Sequence, residues 1–421
     1  MSKTNENKLV PKFRFPEFKN QGEWEAKELN KLGKLVNGLT YSPDDVREEG
    51  LLVLRSSNIQ NGEIVLEDNV YVRPDVKGAN LAEPNDILIC VRNGSKALIG
   101  KNAIIPQGMP LCTHGAFMTV FRSNIPKFVF QLFQTNSFAK KVAGDLGATI
   151  NSINGSNFLK YEFLIPKIPD EQNKIAACLT SLDMVITAER KKLDALREHK
   201  KGLLQNLFPQ EGETVPKVRF KEFEDSGEWE VKELNELGFL INGLTYSPED
   251  VRDNGLLVLR SSNIQDGIID LKDCVYVKED IKGANLIETK DILVCVRNGS
   301  KNLIGKNAII PDDIPFATHG AFMTVFRANN PDFVYQLFQT DYYDKQVKAD
   351  LGATINSING RNFIKYEFPI PKNPKEQQKI ASALSSIDEL IIAQGQKLEA
   401  LQLHKKGLLQ GLFPNLNEVT E

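Results

Sequence analysis

The chain has 421 residues, 41% of them hydrophobic and 25% charged, with a formal net charge of −3. This is ordinary globular composition, with length for two or three domains that each bury a core. The charge excludes a uniformly basic nucleic-acid binder, and no apolar run approaches the roughly 18 residues of a membrane span. The start, MSKTNENKLVPKF, lacks a signal-peptide core, so a cytoplasmic protein is expected. Cys90, Cys112, Cys178, Cys274 and Cys295 are odd in number and never at C-x-x-C spacing, which reads as reduced, mostly buried thiols with no disulfide or metal role.

Taken in chain order, residues 1–168 read as a first mixed α/β lobe. DILICVRNG at 86–94 has the pattern of a buried strand running into a turn. AIIP, AFMTVF and YEFLIP read as further short strands, and FVFQLFQT as part of a helix. No proline interrupts the stretch between Pro169 and Pro209, which predicts one long helix over 169–209. The short polar linker QEGETVP at 210–216 opens a second lobe over 210–373, and a second long helix is expected over 374–421.

The second half repeats the first. Residues 11–209 align with 216–414 at a constant offset of 205, without a gap, and 138 of the 199 positions are identical. A period this long is no solenoid unit; it is two copies of a whole module. Two beads on a string would satisfy it. A pseudo-two-fold pair would also satisfy it, given an element that fixes one copy against the other.

The helices offer that element. In the first, Ile175, Leu179, Leu182, Ile186, Glu189, Leu193, Leu196, Lys200, Leu203 and Leu207 alternate at spacings of four and three. In the second, the series is Ile380, Leu384, Ile387, Ile391, Gln394, Leu398, Leu401, Lys405, Leu408 and Leu412. A narrow heptad seam over about 50 Å of helix wants a partner helix, and the other copy is the nearest candidate. Packing of each helix on its own lobe is the alternative. With a helix pair, Leu193→Asp and Leu398→Asp should each place a carboxylate in an apolar seam.

Catalytic constellations are missing. Gly94 to Lys101 resembles a phosphate-binding loop, but five residues separate its glycines instead of four, and Asn102 stands where Ser or Thr should bind magnesium. Its twin, Gly299 to Asn307, fails in the same way. There is no G-x-G-x-x-G, no N-P-P-Y-type sequence, and only four histidines, so neither a cofactor nor a His-cluster metal site is expected.

Polar groups suited to base edges and phosphates are present. Residues 85–168 hold 9 basic and 3 acidic side chains, against 10 and 13 in residues 11–84. In copy two the matching halves hold 10 and 8 against 9 and 16. Arg and Lys match guanine O6/N7, Asn matches adenine N6/N7, and Ser and glycine-flanked amides suit phosphates. The candidates are Arg55, Ser57, Asn58, Arg92, Asn93, Ser95, Lys96, Lys101, Thr113, His114, Thr149, Asn151, Ser152, Asn154 and Lys160. In copy two they are Arg260, Ser262, Asn263, Arg297, Asn298, Ser300, Lys301, Lys306, Thr318, His319, Thr354, Asn356, Ser357, Asn359, Arg361 and Lys365. Each of these loops taken singly also reads as a plain turn.

Each lobe opens with GEWE-K-LN-L and closes with Y-E-F-x-I-P-K-x-P-x-E-Q-x-K-I-A, and each helix ends in KKGLLQ-x-LFP. Across almost the whole chain this order resembles the specificity subunit of type I restriction–modification enzymes. The resemblance implies two target-recognition domains and two antiparallel spacer helices. It implies a non-catalytic subunit that binds double-stranded DNA, two methyltransferase subunits carrying S-adenosylmethionine, and restriction subunits using ATP and Mg. In the family the two recognition domains usually differ; here they are near copies, so the implied target is a split palindrome. An orphan DNA-binding protein and a two-lobe protein scaffold without a DNA role are the alternatives.

Overall fold

The computed structural model describes residues 9–146, 151–353 and 356–414. The chain divides into two compact units. One comprises residues up to 190 together with those from 396 onward, and the other comprises 191–395. Among the described residues, no helix is long and apolar enough to cross a membrane.

In the first unit, Glu25–Glu28 pairs antiparallel with Glu162–Ile165, tying the start of the lobe to its end. A four-stranded antiparallel sheet has the order Gly33–Asn37, Met118–Ser123, Ile87–Cys90, Asn102–Ile104. A second sheet has the order Cys112–His114, Leu51–Leu54, Val70–Val72, Val46–Arg47, and its first pair is parallel. Ile87–Cys90 and Leu51–Leu54 are buried along their whole length, which is why they read as unbroken apolar runs and not as alternating patterns. Short helices at Pro126–Leu132, Asn136–Asp145 and Gly155–Leu159 complete the lobe. The second unit repeats these sheets, with Gly238–Asn242, Met323–Ala328, Ile292–Cys295 and Asn307–Ile309 in the antiparallel one.

The long helices span Pro169–Leu207 and Pro374–Leu412. Each has proline at its first position, where no backbone N–H is needed, and acid in its first turn, Asp170 and Glu171 in one and Glu376 in the other, which suits the positive end of the helix dipole. Gln172 donates to the Pro166 carbonyl at 2.7 Å, and Gln377 donates to Pro371 at 2.9 Å. Glu171 accepts both Nε and Nη2 of Arg14, at 2.7 and 2.8 Å, and the Trp24 indole N–H at 3.1 Å. The GEWE and E-Q phrases are thus the two sides of one joint between lobe and helix.

Each unit uses the start of one long helix and the end of the other. In the first, Ile175 and Leu179 share a core with Leu409, Leu412 and Phe413. Asp183 pairs with Lys405 at 2.5 Å and Glu189 with Lys397 at 2.5 Å, so the two segments run antiparallel. In the second, Ile380 and Leu384 share a core with Leu207 and Phe208, and Asp388 pairs with Lys200 at 2.6 Å. The seam therefore differs from a simple leucine zipper. Its early residues are buried in the lobe, while Leu182, Leu196, Leu203, Ile387, Ile391, Leu398, Leu401 and Leu408 are half-buried; Ile186 and Leu193 are buried. Lys200 and Lys405 are not gaps in the stripe but cross-helix partners. Asp183 also accepts from Gln131, which is fully buried, at 2.7 Å, and Asp388 accepts from Gln336 at 2.9 Å.

The helix ends are fitted to their lobes individually. Phe413 packs edge-on to Trp24, with ring centroids 6.4 Å apart, and lies 5.4 Å from Phe128. The Phe13 ring fills the place where a side chain on residue 411 would stand, and that residue is glycine. In the second unit, smaller Val218 takes the place of Phe13, and Asn206 the place of Gly411; the Val218 N–H bonds the Asn206 carbonyl at 3.0 Å.

Candidate nucleic-acid interface

Each lobe brings four turns together beside the ends of its buried strands. In the first they are 55–58, 91–96, 115–117 and 151–152. The Phe117 carbonyl accepts the N–H groups of Val91 and Arg92 at 3.0 and 3.1 Å. The 91–93 segment also bonds 151–153: Ile153 donates to Val91 at 2.8 Å, and Arg92 faces Ser152 across an isolated bridge. Asn93 donates to the Ser56 hydroxyl at 3.3 Å and accepts the Ser95 N–H at 3.0 Å; Asn151 donates to the Gly94 carbonyl at 3.1 Å. Gly38 leaves no room for a Cβ against the Gly115 carbonyl, so glycine is what lets these two turns meet.

On this frame Arg92, Ser57, Ser95 and Lys96 are exposed. The Arg92 guanidinium lies over the Phe117 ring, 5.8 Å from its centroid, a cation–π arrangement. The second unit has the same geometry. Arg297 lies 5.8 Å over Phe322, Asn298 donates to Ser261 at 3.1 Å and accepts from Ser300, and Ser357 bridges Arg297. Ser300 and Lys301 are exposed, Ser262 half-buried.

Other candidates build the frame instead of presenting themselves. Asn58 and Asn263 are fully buried, each accepting the N–H of Arg55 or Arg260 and donating to carbonyls at Val65 or Asp270. Thr113 and Thr318 are fully buried and donate to the carbonyls of Asn80 and Asn285. His114 and His319 are fully buried on the carbonyls of Val36 and Ile241 at 3.0 Å. These six cannot meet a ligand on the surface of this fold. Arg55 and Arg260 are ion-paired with Asp68 and Asp273 at 2.8 Å. Asn154 and Asn359 cap the helices beginning at Gly155 and Gly360, so their side-chain oxygens hold backbone N–H groups. Lys101, Lys306, Asn151 and Asn356 are half-buried, and Lys160, Arg361 and Lys365 are exposed. Thr149 and Thr354 lie outside the described residues.

Burial pushes the His114 and His319 imidazoles below the ordinary histidine range. In each, Nε2 meets a carbonyl while Nδ1 is buried without a partner, so a second proton has nowhere to be stabilised. With the folded pKa below the unfolded value near 6.5, the unfolded chain binds more protons once the pH drops past that value. Stability is expected to be complete above about pH 6.5 and to fall as the pH drops toward the folded pKa. Urea unfolding at pH 7.5 and 5.5 checks this, and His114→Gln with His319→Gln should reduce the difference. An equal difference in that variant would remove the histidines as its cause.

Phe117 and Phe322 were not among the residues singled out from sequence. They are 59% and 58% exposed, each at a turn fixed through its own carbonyl. Their only signal is a large aromatic two residues after the glycine of THGAF, which reads equally well as a core residue. Among the described residues, no group of three or more His, Cys, Asp or Glu is placed to hold a metal.

Two stretches of the chain, residues 21–198 and 226–403, match the family described as type I restriction modification DNA specificity domain. The chain is 26% identical over 299 residues to the type I restriction enzyme StySPI specificity subunit of Salmonella potsdam, covering 67% of this chain and 63% of that one. It is also 26% identical over 296 residues to the EcoKI specificity subunit of Escherichia coli strain K12, with the same coverage. This chain therefore spans less than two-thirds of the length of those two relatives. With the putative MjaX specificity subunit of Methanocaldococcus jannaschii it shares 26% identity over 415 residues, 93% of both chains. The crystal structure of a type I restriction–modification S subunit from M. genitalium shares the fold, with a TM-score of 0.65 at 17% identity over 97% of this chain and 100% of that one. With both halves matching one family, and the repeat, the joint and the paired helices accounted for, the chain belongs to the type I restriction–modification specificity subunits and carries two tandem copies of their DNA specificity domain.

Proposed function

We propose that this chain reads a bipartite DNA target for a type I restriction–modification complex, one half-site per lobe, and positions methyltransferase and restriction subunits on it. The observation that supports this best is the duplicated exposed pair, Arg92 with Phe117 and Arg297 with Phe322, each on a frame of backbone and asparagine hydrogen bonds. Preorganised Arg among Ser and Lys suits guanine edges flanked by phosphates. The chain itself acts without catalysis. S-adenosylmethionine, ATP and Mg sit on the partners, two methyltransferase subunits and the restriction subunits.

The half-sites are near-identical and inverted. The four turns are identical in the two copies, so that Ser57, Arg92, Asn93, Ser95 and Lys96 recur as Ser262, Arg297, Asn298, Ser300 and Lys301; differences lie just outside them, as at Ala97 against Asn302 and Ser156 against Arg361. Each copy gives its helix end to the unit of the other. Protein two-fold symmetry is mirrored in a palindromic site. A helical spacer of about 50 Å, at about 3.4 Å per base pair, sets half-site centres roughly 10–15 base pairs apart. Sequencing the methylome of cells that carry the chain with its methyltransferase partner should give a split palindrome methylated on both strands. Direct repeats or unrelated half-sites would overturn the symmetric reading. Binding to random duplex DNA with no dependence on salt would overturn the DNA reading itself, because phosphate contacts release counterions.

A further inference from the structure

Resting on that DNA reading, we propose that Phe117 and Phe322 are specificity-determining residues, each packing its ring against the 5-methyl group of a thymine beside the base read by Arg92 or Arg297. A ring more than half exposed contributes little to the core, and Phe117 belongs to none of the buried clusters of its lobe. The turn that presents it is rigid. Its carbonyl holds two N–H groups of the arginine turn, and the Met118 N–H closes on the Gly115 carbonyl at 2.8 Å. The ring therefore stands at a fixed height beside the guanidinium.

Arg92 lies over the ring, and more than half of the residue is open to solvent. The contact keeps the guanidinium beside the ring, where its fork is free to meet a guanine edge. In the major groove, thymine differs from cytosine by an apolar methyl group, and an apolar side chain is what recognises it. An Arg fork and a Phe edge on one rigid turn thus match two neighbouring base pairs, a guanine and a thymine. The neighbours of the ring argue against a protein partner on this patch. Arg92 lies over it, and the turns that adjoin it carry Ser57, Asn93 and Lys96, a polar and basic surround that suits nucleic acid and does not extend an apolar interface.

The test uses the full chain with its methyltransferase partner and duplexes bearing the target from the methylome. Deoxyuridine, which lacks only the methyl group, replaces each thymine of one half-site in turn. For the wild type, one position should weaken binding about threefold to tenfold, the worth of burying a single methyl group. Phe117→Ala should weaken binding to intact target by a similar or larger factor and make that position indifferent to deoxyuridine. Phe117→Trp, which keeps an aromatic edge, should retain the sensitivity, and Phe322→Ala should act in the same way on the other half-site. Removing an exposed ring opens no cavity, so these variants are expected to fold. The proposal is overturned if no thymine responds in the wild type, or if the response persists in Phe117→Ala. In either case, salt-dependent binding that still falls on Arg92→Ala leaves the DNA reading standing; a wild type that binds no duplex sinks that reading instead.

Discussion

Glu171→Ala is expected to destabilise the first unit by about 3–5 kcal/mol, the usual result of removing one partner from a buried ion pair. The carboxylate is 1% exposed and takes a two-pronged bond from Arg14, itself nearly buried. Arg14 is held in place by its remaining donor, Nη1, on the Gly22 carbonyl at 2.6 Å. Without Glu171, the guanidinium stays where it is with its charge unanswered, and the Trp24 indole N–H loses its acceptor. The first turn of the long helix also loses an acidic group that suits its dipole. Glu171→Gln should be milder, since its amide oxygen still accepts one bond. Glu376→Ala should behave alike, because Arg219 meets Glu376 at 2.7 and 2.8 Å. Urea unfolding of the three variants measures this, and a loss below about 1 kcal/mol in both alanine variants would show that the joint is idle. Arg14→Ala combined with Glu171→Ala should recover part of the loss, since no buried charge then remains.

Much of the architecture was legible because apolar pattern and proline placement are local signals. The strand read from DILICVRNG is Ile87–Cys90, and those read from AIIP, AFMTVF and YEFLIP lie within or overlap Asn102–Ile104, Met118–Ser123 and Glu162–Ile165. Both helices begin at their expected prolines. What was not legible depends on partners far away in the chain. Lys200 and Lys405 looked like defects in an apolar stripe because their carboxylates, Asp388 and Asp183, lie on the other helix. Thr113 and His114 looked like surface polar groups. Their strand is fully buried, parallel to Leu51–Leu54, and there Thr113 donates to the Asn80 carbonyl while His114 Nε2 meets that of Val36. Asn58 misled in the same way, since a buried asparagine that closes a turn has the same letter as one that reads adenine. Phe117 failed in the opposite sense, an apolar residue placed outside.

Arg92→Ala combined with Arg297→Ala should reduce affinity for the target by roughly 30-fold to 25,000-fold, if each guanidinium reads a guanine worth about 1–3 kcal/mol. Each single variant should lose about half of that free energy and relax one base position in one half-site, leaving the other half-site unchanged. Near-additivity is expected because each arginine is fixed within its own lobe by its own phenylalanine and turn. Neither guanidinium has an ion-pair partner among the described residues, so truncation strands no buried carboxylate and stability should hold. That separates Arg92 from Arg55, whose replacement would also release Asp68. Salt dependence provides the second readout. A base-reading arginine should leave the slope of affinity against salt nearly unchanged, whereas Lys96→Ala, if it neutralises a phosphate, should lower that slope by about one without altering base preference. Unchanged affinity and preference in both arginine variants would reduce the pair to ordinary turn residues. The remaining asymmetry then becomes informative: Ser156→Arg gives the first lobe the residue that the second has at Arg361. If that position touches the duplex, the two half-sites of the methylome should become more alike, and if it touches nothing they should stay as they were.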